Sequence, residues 1–125
     1  MMHAPKIIHS IDIDGTPIVQ VEMTNRPGWF AIVDRIDFED LILRGVPLRW
    51  FVNRSGAGNE YVRFGRSDVA GKLGSIAPLI MRPGKGRIVT YRNGNRLDLR
   101  RRNLQVASGN AKGARAPIER MQLAA

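Results

Sequence analysis

The chain has 125 residues, 43% of them hydrophobic, with a formal net charge of +9, enough apolar material for one packed domain rather than a disordered chain. It has no cysteine, which excludes disulfides, thiolate-held zinc and a cysteine nucleophile. No apolar run approaches the roughly 18 residues of a membrane span, and Met1–Ser10 is too short and polar for a secretory signal, so a soluble, cytoplasmic protein is expected, nucleoid-associated if bacterial.

Lys6–Ile13 alternates loosely and is rich in isoleucine, Asp14-Gly15 signals a tight turn, and Thr16–Met23 carries Ile18, Val19, Val21 and Met23. Together they predict a hairpin. Asn25-Arg26-Pro27-Gly28 predicts a second turn, followed by an apolar strand over Trp29–Val33. From Asp34 to Gly45 the period changes. Asp37 is placed to cap a short helix, with Phe38, Leu41 and Ile42 on one face and Gly45 closing it. The acidic cluster Asp34, Asp37, Glu39 and Asp40 is read as serving that helix start through capping and the helix dipole. Leu48–Asn53 and Glu60–Phe64 read as two strands around a glycine-containing turn that lacks the lysine–serine/threonine pair of a phosphate cradle.

Ser67–Ser75 reads as a connector, and Ile76–Met81 as a short helix or a strand broken by Pro83-Gly84-Lys85-Gly86. Arg87–Arg92 predicts a strand, Asn93-Gly94 a tight turn or loop, and Leu104–Ala107 a short second strand. Ser108 is placed to cap a helix through Ala111, Ala114 and Arg115 that Pro117 bends or ends. The expected architecture is a single α+β domain over 1–125. It has an N-terminal antiparallel β-rich half with a short helix (1–75), a C-terminal ββα unit (76–116) and a tail (117–125).

Charge is divided unevenly along this layout. Through Met81 there are nine basic and nine acidic residues; from Arg82 onward there are eleven basic residues against Asp98 and Glu119 alone. The whole excess of +9 therefore lies in the last 44 residues, which points to a polyanionic partner. Nine of those eleven cations are arginine, the residue suited to bidentate phosphate and base-edge contacts. Among the aromatics, Trp29, Phe30, Trp50 and Phe51 read as core. Tyr61 and Phe64 around Arg63 are better placed for base stacking, with packing still the leading reading.

The residues Leu79-Ile80-Met81, Gly86, Ile88-Val89-Thr90-Tyr91, Asn93-Gly94-Asn95, Leu97-Asp98, Arg100-Arg101, Asn103-Leu104 and Asn110 resemble the HNH endonucleases of phages and homing elements. Upstream, Ala31-Ile32-Val33-Asp34, Asp37, Trp50 and Tyr61-Val62-Arg63 match the β-rich segment that precedes the nuclease motif, so the resemblance runs from about Ile13 to Lys112. It implies a ββα unit holding one divalent cation between a strand-end Asp or His and a helix-borne Asn or His, with a neighbouring histidine as general base. Where the family carries Val-Asp-His-Ile-Asn-Gly, this chain carries Val89-Thr90-Tyr91-Arg92-Asn93-Gly94.

By that correspondence Thr90 replaces the metal-binding aspartate, Tyr91 replaces the general base, and Asn110 keeps the helix-borne position. A neutral hydroxyl is a weak ligand for a hard cation, and a phenol with a pKa of about 10 is almost fully protonated at neutral pH. Arg92 beside the site repels a cation, and the only histidines, His3 and His9, lie outside the matched segment. The resemblance thus implies a degenerate module with no catalytic residues, no metal (Asn110 being vestigial) and no cofactor. Mg²⁺ enters only if the nuclease is active after all.

The leading expectation is non-catalytic DNA binding, as a regulator of transcription or of a mobile element. Contacts are expected from Arg87, Arg92, Arg96, Arg100, Arg101, Arg102, Lys112 and Arg115. Asn93-Gly94 and Asn103 are expected to shape the loop backbone, and Leu97 and Leu104 to be core. The alternatives are an active metal-dependent HNH endonuclease and a module binding RNA or an acidic protein. No membrane partner is expected, and a homodimer is left open.

Overall fold

The computed structural model describes residues 4–54, 58–65 and 72–109. β1 (Ile7–Ile11) and β2 (Pro17–Met23) pair antiparallel, Ile7 opposite Val21 and Ile11 opposite Pro17, as the alternation predicts. β3 (Arg26–Asp34) pairs with β2 on its other side, giving the order β1-β2-β3. The reversal before β3 differs from the expected Asn25–Gly28 turn. Met23 faces Arg26, so Thr24-Asn25 alone make the turn, and a register shift at Glu22/Met23 absorbs the irregularity. The reason lies in the neighbouring sheet: the Asn25 side chain donates to the Val52 carbonyl (2.7 Å) and accepts from the Val52 N–H (2.9 Å).

The helix α1 (Arg35–Leu43) begins two residues before Asp37, with Asp34 in the extended N-cap position. The expected capping role of Asp37 is corrected by this start: Asp37 lies within the first turn, and its buried carboxylate faces an arginine described below. Phe38 and Leu41 are buried as expected, whereas Ile42 is on the exposed side. After the helix, Gly45 donates to the Ile42 carbonyl and Val46 to Leu41 (3.0 Å each), with Gly45 at φ 87°, a left-handed closure that favours glycine.

The second sheet runs β4 (Phe51–Arg54), β5 (Glu60–Gly65), β6 (Leu73–Ser75) in that order. β6 falls where only a connector was expected. Gly74 sits opposite Phe64, and a Cβ there would come within 2.3 Å of the Phe64 ring, so the pairing needs a residue without a side chain. Ile76–Met81 proves to be a helix, α2, burying Ile76, Ala77 and Ile80. β7 (Arg87–Tyr91) and β8 (Leu104–Ser108) then form a third, two-stranded antiparallel sheet, with a single 3₁₀ turn at Arg101–Asn103 between them. The helix expected after Ser108 lies outside the described residues.

The described residues thus form an α+β fold of three antiparallel sheets and two short helices. One core joins them: Val19, Val33, Leu41, Trp50, Val62, Ile76, Leu97 and Leu104 all belong to a single buried cluster. The loop of the third sheet is also stitched to the first. Ile32 donates to the Leu97 carbonyl (2.9 Å) and Leu99 donates to the Ile32 carbonyl (2.8 Å), so residues 97–99 lie along the outer edge of β3. No helix among the described residues is long and apolar enough to cross a membrane.

Candidate nucleic-acid interface

The loop between β7 and β8 is built around one carboxylate. Leu97 and Leu99 are fully buried and carry Asp98 between them to 1% exposure, where an unpartnered charge would be very costly. Its carboxylate accepts from Asn93 Nδ2 at 2.9 Å and from Arg100 Nε and Nη2 at 2.8 Å each. Asn103, itself buried, donates Nδ2 to the Asp98 carbonyl (3.0 Å) and accepts the Asn93 backbone N–H (2.9 Å). Gly94 turns the chain at φ 76°, and the Asn93 and Asn95 side chains accept backbone N–H groups two residues on. Asn93-Gly94 and Asn103 therefore shape the loop backbone, and Leu97 and Leu104 are core.

The arginines around this loop divide into three groups. Arg87 and Arg92, at and just beyond the ends of β7, are exposed, as are Arg82 and Lys85 before it. The latter two are cations that the sequence did not single out as site residues.

Arg100, Arg101 and Arg102 also meet carboxylates within the fold; Arg100 is largely covered by them, whereas the Arg101 and Arg102 side chains stay 56% and 52% exposed. Arg100 reaches Asp12 at 2.9 Å as well as Asp98, and its side chain is only 15% exposed. Its hydrogen bond to Asp98, followed by the pull of that charge and of Asp12, holds its guanidinium above the ordinary arginine value. Arg101 grips both Asp37 oxygens (3.0–3.1 Å), also touching the Ile80 carbonyl, while its backbone N–H donates to Asp34 (3.2 Å). Burial nevertheless raises the Asp34 carboxyl above its usual range, against the pull of that N–H. Arg102 lies 3.3 Å from Asp12 and 3.6 Å from Asp14. These carboxylates stand 64 to 90 residues away in the chain, so a charge count along the C-terminal third does not see them.

Arg96 forms the third group. Its guanidinium lies 5.1 Å from the Tyr61 ring centre and 5.5 Å from that of Tyr91, while Arg63 lies 5.7 Å from Tyr61. The Tyr61–Arg63 pair was visible in the sequence; the arrival of Arg96 and Tyr91 beside it was not. Lys112, Arg115 and Asn110 fall outside the described residues.

At the two positions where the resemblance places the lost catalytic pair, Thr90 is half-buried and donates to the Gln105 carbonyl at 3.4 Å. Tyr91 packs against the core, and burial pushes its phenol well above the ordinary tyrosine value despite Arg96 nearby. Such a phenol is an even poorer base at neutral pH than a free one. His9 packs edge-on against Phe38, away from this loop's hydrogen-bond network. Among the described residues no three His, Asp or Glu side chains gather as a metal site.

An open cleft of about 610 Å³ is lined by Val46, Pro47, Phe64, Leu73 and Leu79, with Arg44 its one charged lining residue among those described. Arg44 is already held by Asp40 (2.9 Å) and the Leu79 carbonyl (2.8 Å). Compared with protein-family models, with curated proteins and with solved structures, the chain matches none.

Proposed function

We propose that this protein binds DNA without cleaving it, through the basic hairpin and the segment that follows, as a degenerate HNH-like module regulating transcription or a mobile element. One observation carries the reading: the whole net charge of +9 lies from Arg82 onward. Support comes from a loop braced by Asp98, Asn93 and Asn103, which holds the β7–β8 ribbon in shape with Arg87 and Arg92 outward. The raised phenol of Tyr91 further disfavours a general-base role at the position that resembles the catalytic one.

The test is a titration of labelled duplex DNA across about 50 to 200 mM salt, with an expected log–log slope of about −4 to −6 for five to seven phosphate contacts. Arg87→Ala and Arg92→Ala should each reduce that slope by about 1. A parallel incubation of supercoiled plasmid with Mg²⁺ or Mn²⁺ should leave it intact; nicking would establish the active nuclease instead. No duplex binding at low salt would overturn the proposal. Equal competition by structured RNA or an acidic protein would replace DNA with a general polyanion as the partner.

A further inference from the structure

The outer face of the second sheet carries a row of side chains, Tyr61 and Arg63 among them, that the buried core does not take up. Along β5 the alternation buries Glu60, Val62 and Phe64 and leaves Tyr61 and Arg63 half-exposed on the other face. Strand pairing sets Phe51 and Ser75 on either side of Arg63, and Asn53 beside Tyr61. Arg96 lies 5.1 Å from the Tyr61 ring centre and 5.5 Å from that of Tyr91, and Arg63 lies 5.7 Å from Tyr61, so two rings and two guanidinium groups gather in one cluster. Such a cluster, half-exposed at Tyr61 and Arg63, attracts a further flat π system.

Two more observations point to a ligand there. Asn59 Oδ1, an acceptor, and Arg63 Nε, a donor, are buried without a hydrogen-bond partner, and they flank Tyr61 two residues to either side. Hidden polar atoms of this kind are uncommon in folded proteins, and a ligand group is one way to satisfy them. The face is also positive. Among the described residues its outward side chains are Phe51, Asn53, Tyr61, Arg63, Leu73 and Ser75, none acidic, while Glu60 points inward and pairs with Arg26.

We infer that this face is a stacking platform for an unpaired nucleobase. The base lies against the half-exposed Tyr61 and Arg63, an outward turn of Asn59 and Arg63 brings their unpartnered atoms to its edge, and the adjoining phosphates meet the charge of Arg63 and Arg96. A paired base cannot bind in this way, because both of its faces are taken up in the duplex stack. The inference rests on the nucleic-acid reading above for the class of ligand, and adds to it a second surface that reads single strands.

The experiment uses the full chain with a labelled oligothymidylate and, separately, a labelled duplex of the same length. Arg63→Lys keeps the charge but loses the plane, and Tyr61→Leu removes the ring. Each should weaken oligothymidylate binding between about fivefold and a hundredfold, the range of one lost stacking contact, and leave duplex binding unchanged. Tyr61→Phe should restore binding, and Arg92→Ala should weaken the duplex more than the single strand. If Tyr61→Leu does not fold, as judged by circular dichroism, Arg63→Lys decides. The inference is overturned if Arg63→Lys binds oligothymidylate like the wild type, or if both ligands weaken in parallel. Duplex binding without any single-strand binding sinks the platform and leaves the proposed function standing; stacking-dependent oligothymidylate binding without duplex binding does the reverse.

Discussion

Asp98 shows how one residue can organise a loop whose arginines, in the sequence, point to a partner surface. Its burial follows from Leu97 and Leu99 on either side, and its charge is met by Asn93 and Arg100, with Asp12 completing the arginine's surroundings. Breaking a buried pair by removing one charge leaves the other uncompensated, at a cost of about 3–5 kcal/mol. Asp98→Asn should therefore lower stability by about that much in a urea titration, and Asn103→Ala by about 1–3 kcal/mol through the unpaired Asn93 N–H and Asp98 carbonyl. A loss under about 1 kcal/mol for Asp98→Asn would mean that Asp12 alone suffices for Arg100. The signal for this role was present in the sequence: Asp98 is the lone acid from Arg82 to Gly109, and it stands between two leucines. What the sequence could not supply was the geometry that brings Asp12 and Asp37 across to the arginines.

At the level of elements, legibility followed how local the cause was. β2, β5 and β7 carry their own alternation or apolar run and lie close to where the pattern places them. The Thr24-Asn25 turn, the start of α1 and the strand β6 are set by partners elsewhere: Val52 for the turn, Arg101 for Asp34 and Asp37, and Phe64 for Gly74. Gly74 gives the sharpest check. A methyl group there must displace the Phe64 ring, which is itself 7% exposed in the core, and overpacking of this kind costs about 1–3 kcal/mol. Gly74→Ala should lower the thermal midpoint accordingly, and the loss should shrink in a Phe64→Leu background, since contacting sites couple. An undiminished loss in that background would place the strain in the backbone of β6 rather than against the ring.

For the whole molecule, the basic hairpin is part of the core rather than an appendage. Three kinds of contact join it to the rest: Leu97 and Leu99 against Ile32, the arginines against Asp12 and Asp37, and Tyr91 with Arg96 against Tyr61. The last joint gives stability a dependence on alkaline pH whose sign can be worked out. Burial raises the Tyr91 phenol in the folded state, whereas an unfolded tyrosine titrates near pH 10. Below about pH 10 both states keep the proton and the full stability is present. As pH rises past that value the unfolded chain releases its proton while the folded chain holds on, so stability falls by up to about 1.4 kcal/mol per pH unit until the folded phenol also titrates. Urea midpoints measured from neutral pH upward should stay level and then drop beyond about pH 10. In Tyr91→Phe, which keeps the ring against Arg96 but has no proton to lose, that drop should be shallower. A drop of equal steepness in the variant would mean that the phenol at this joint is open to water and that another group sets the alkaline limit.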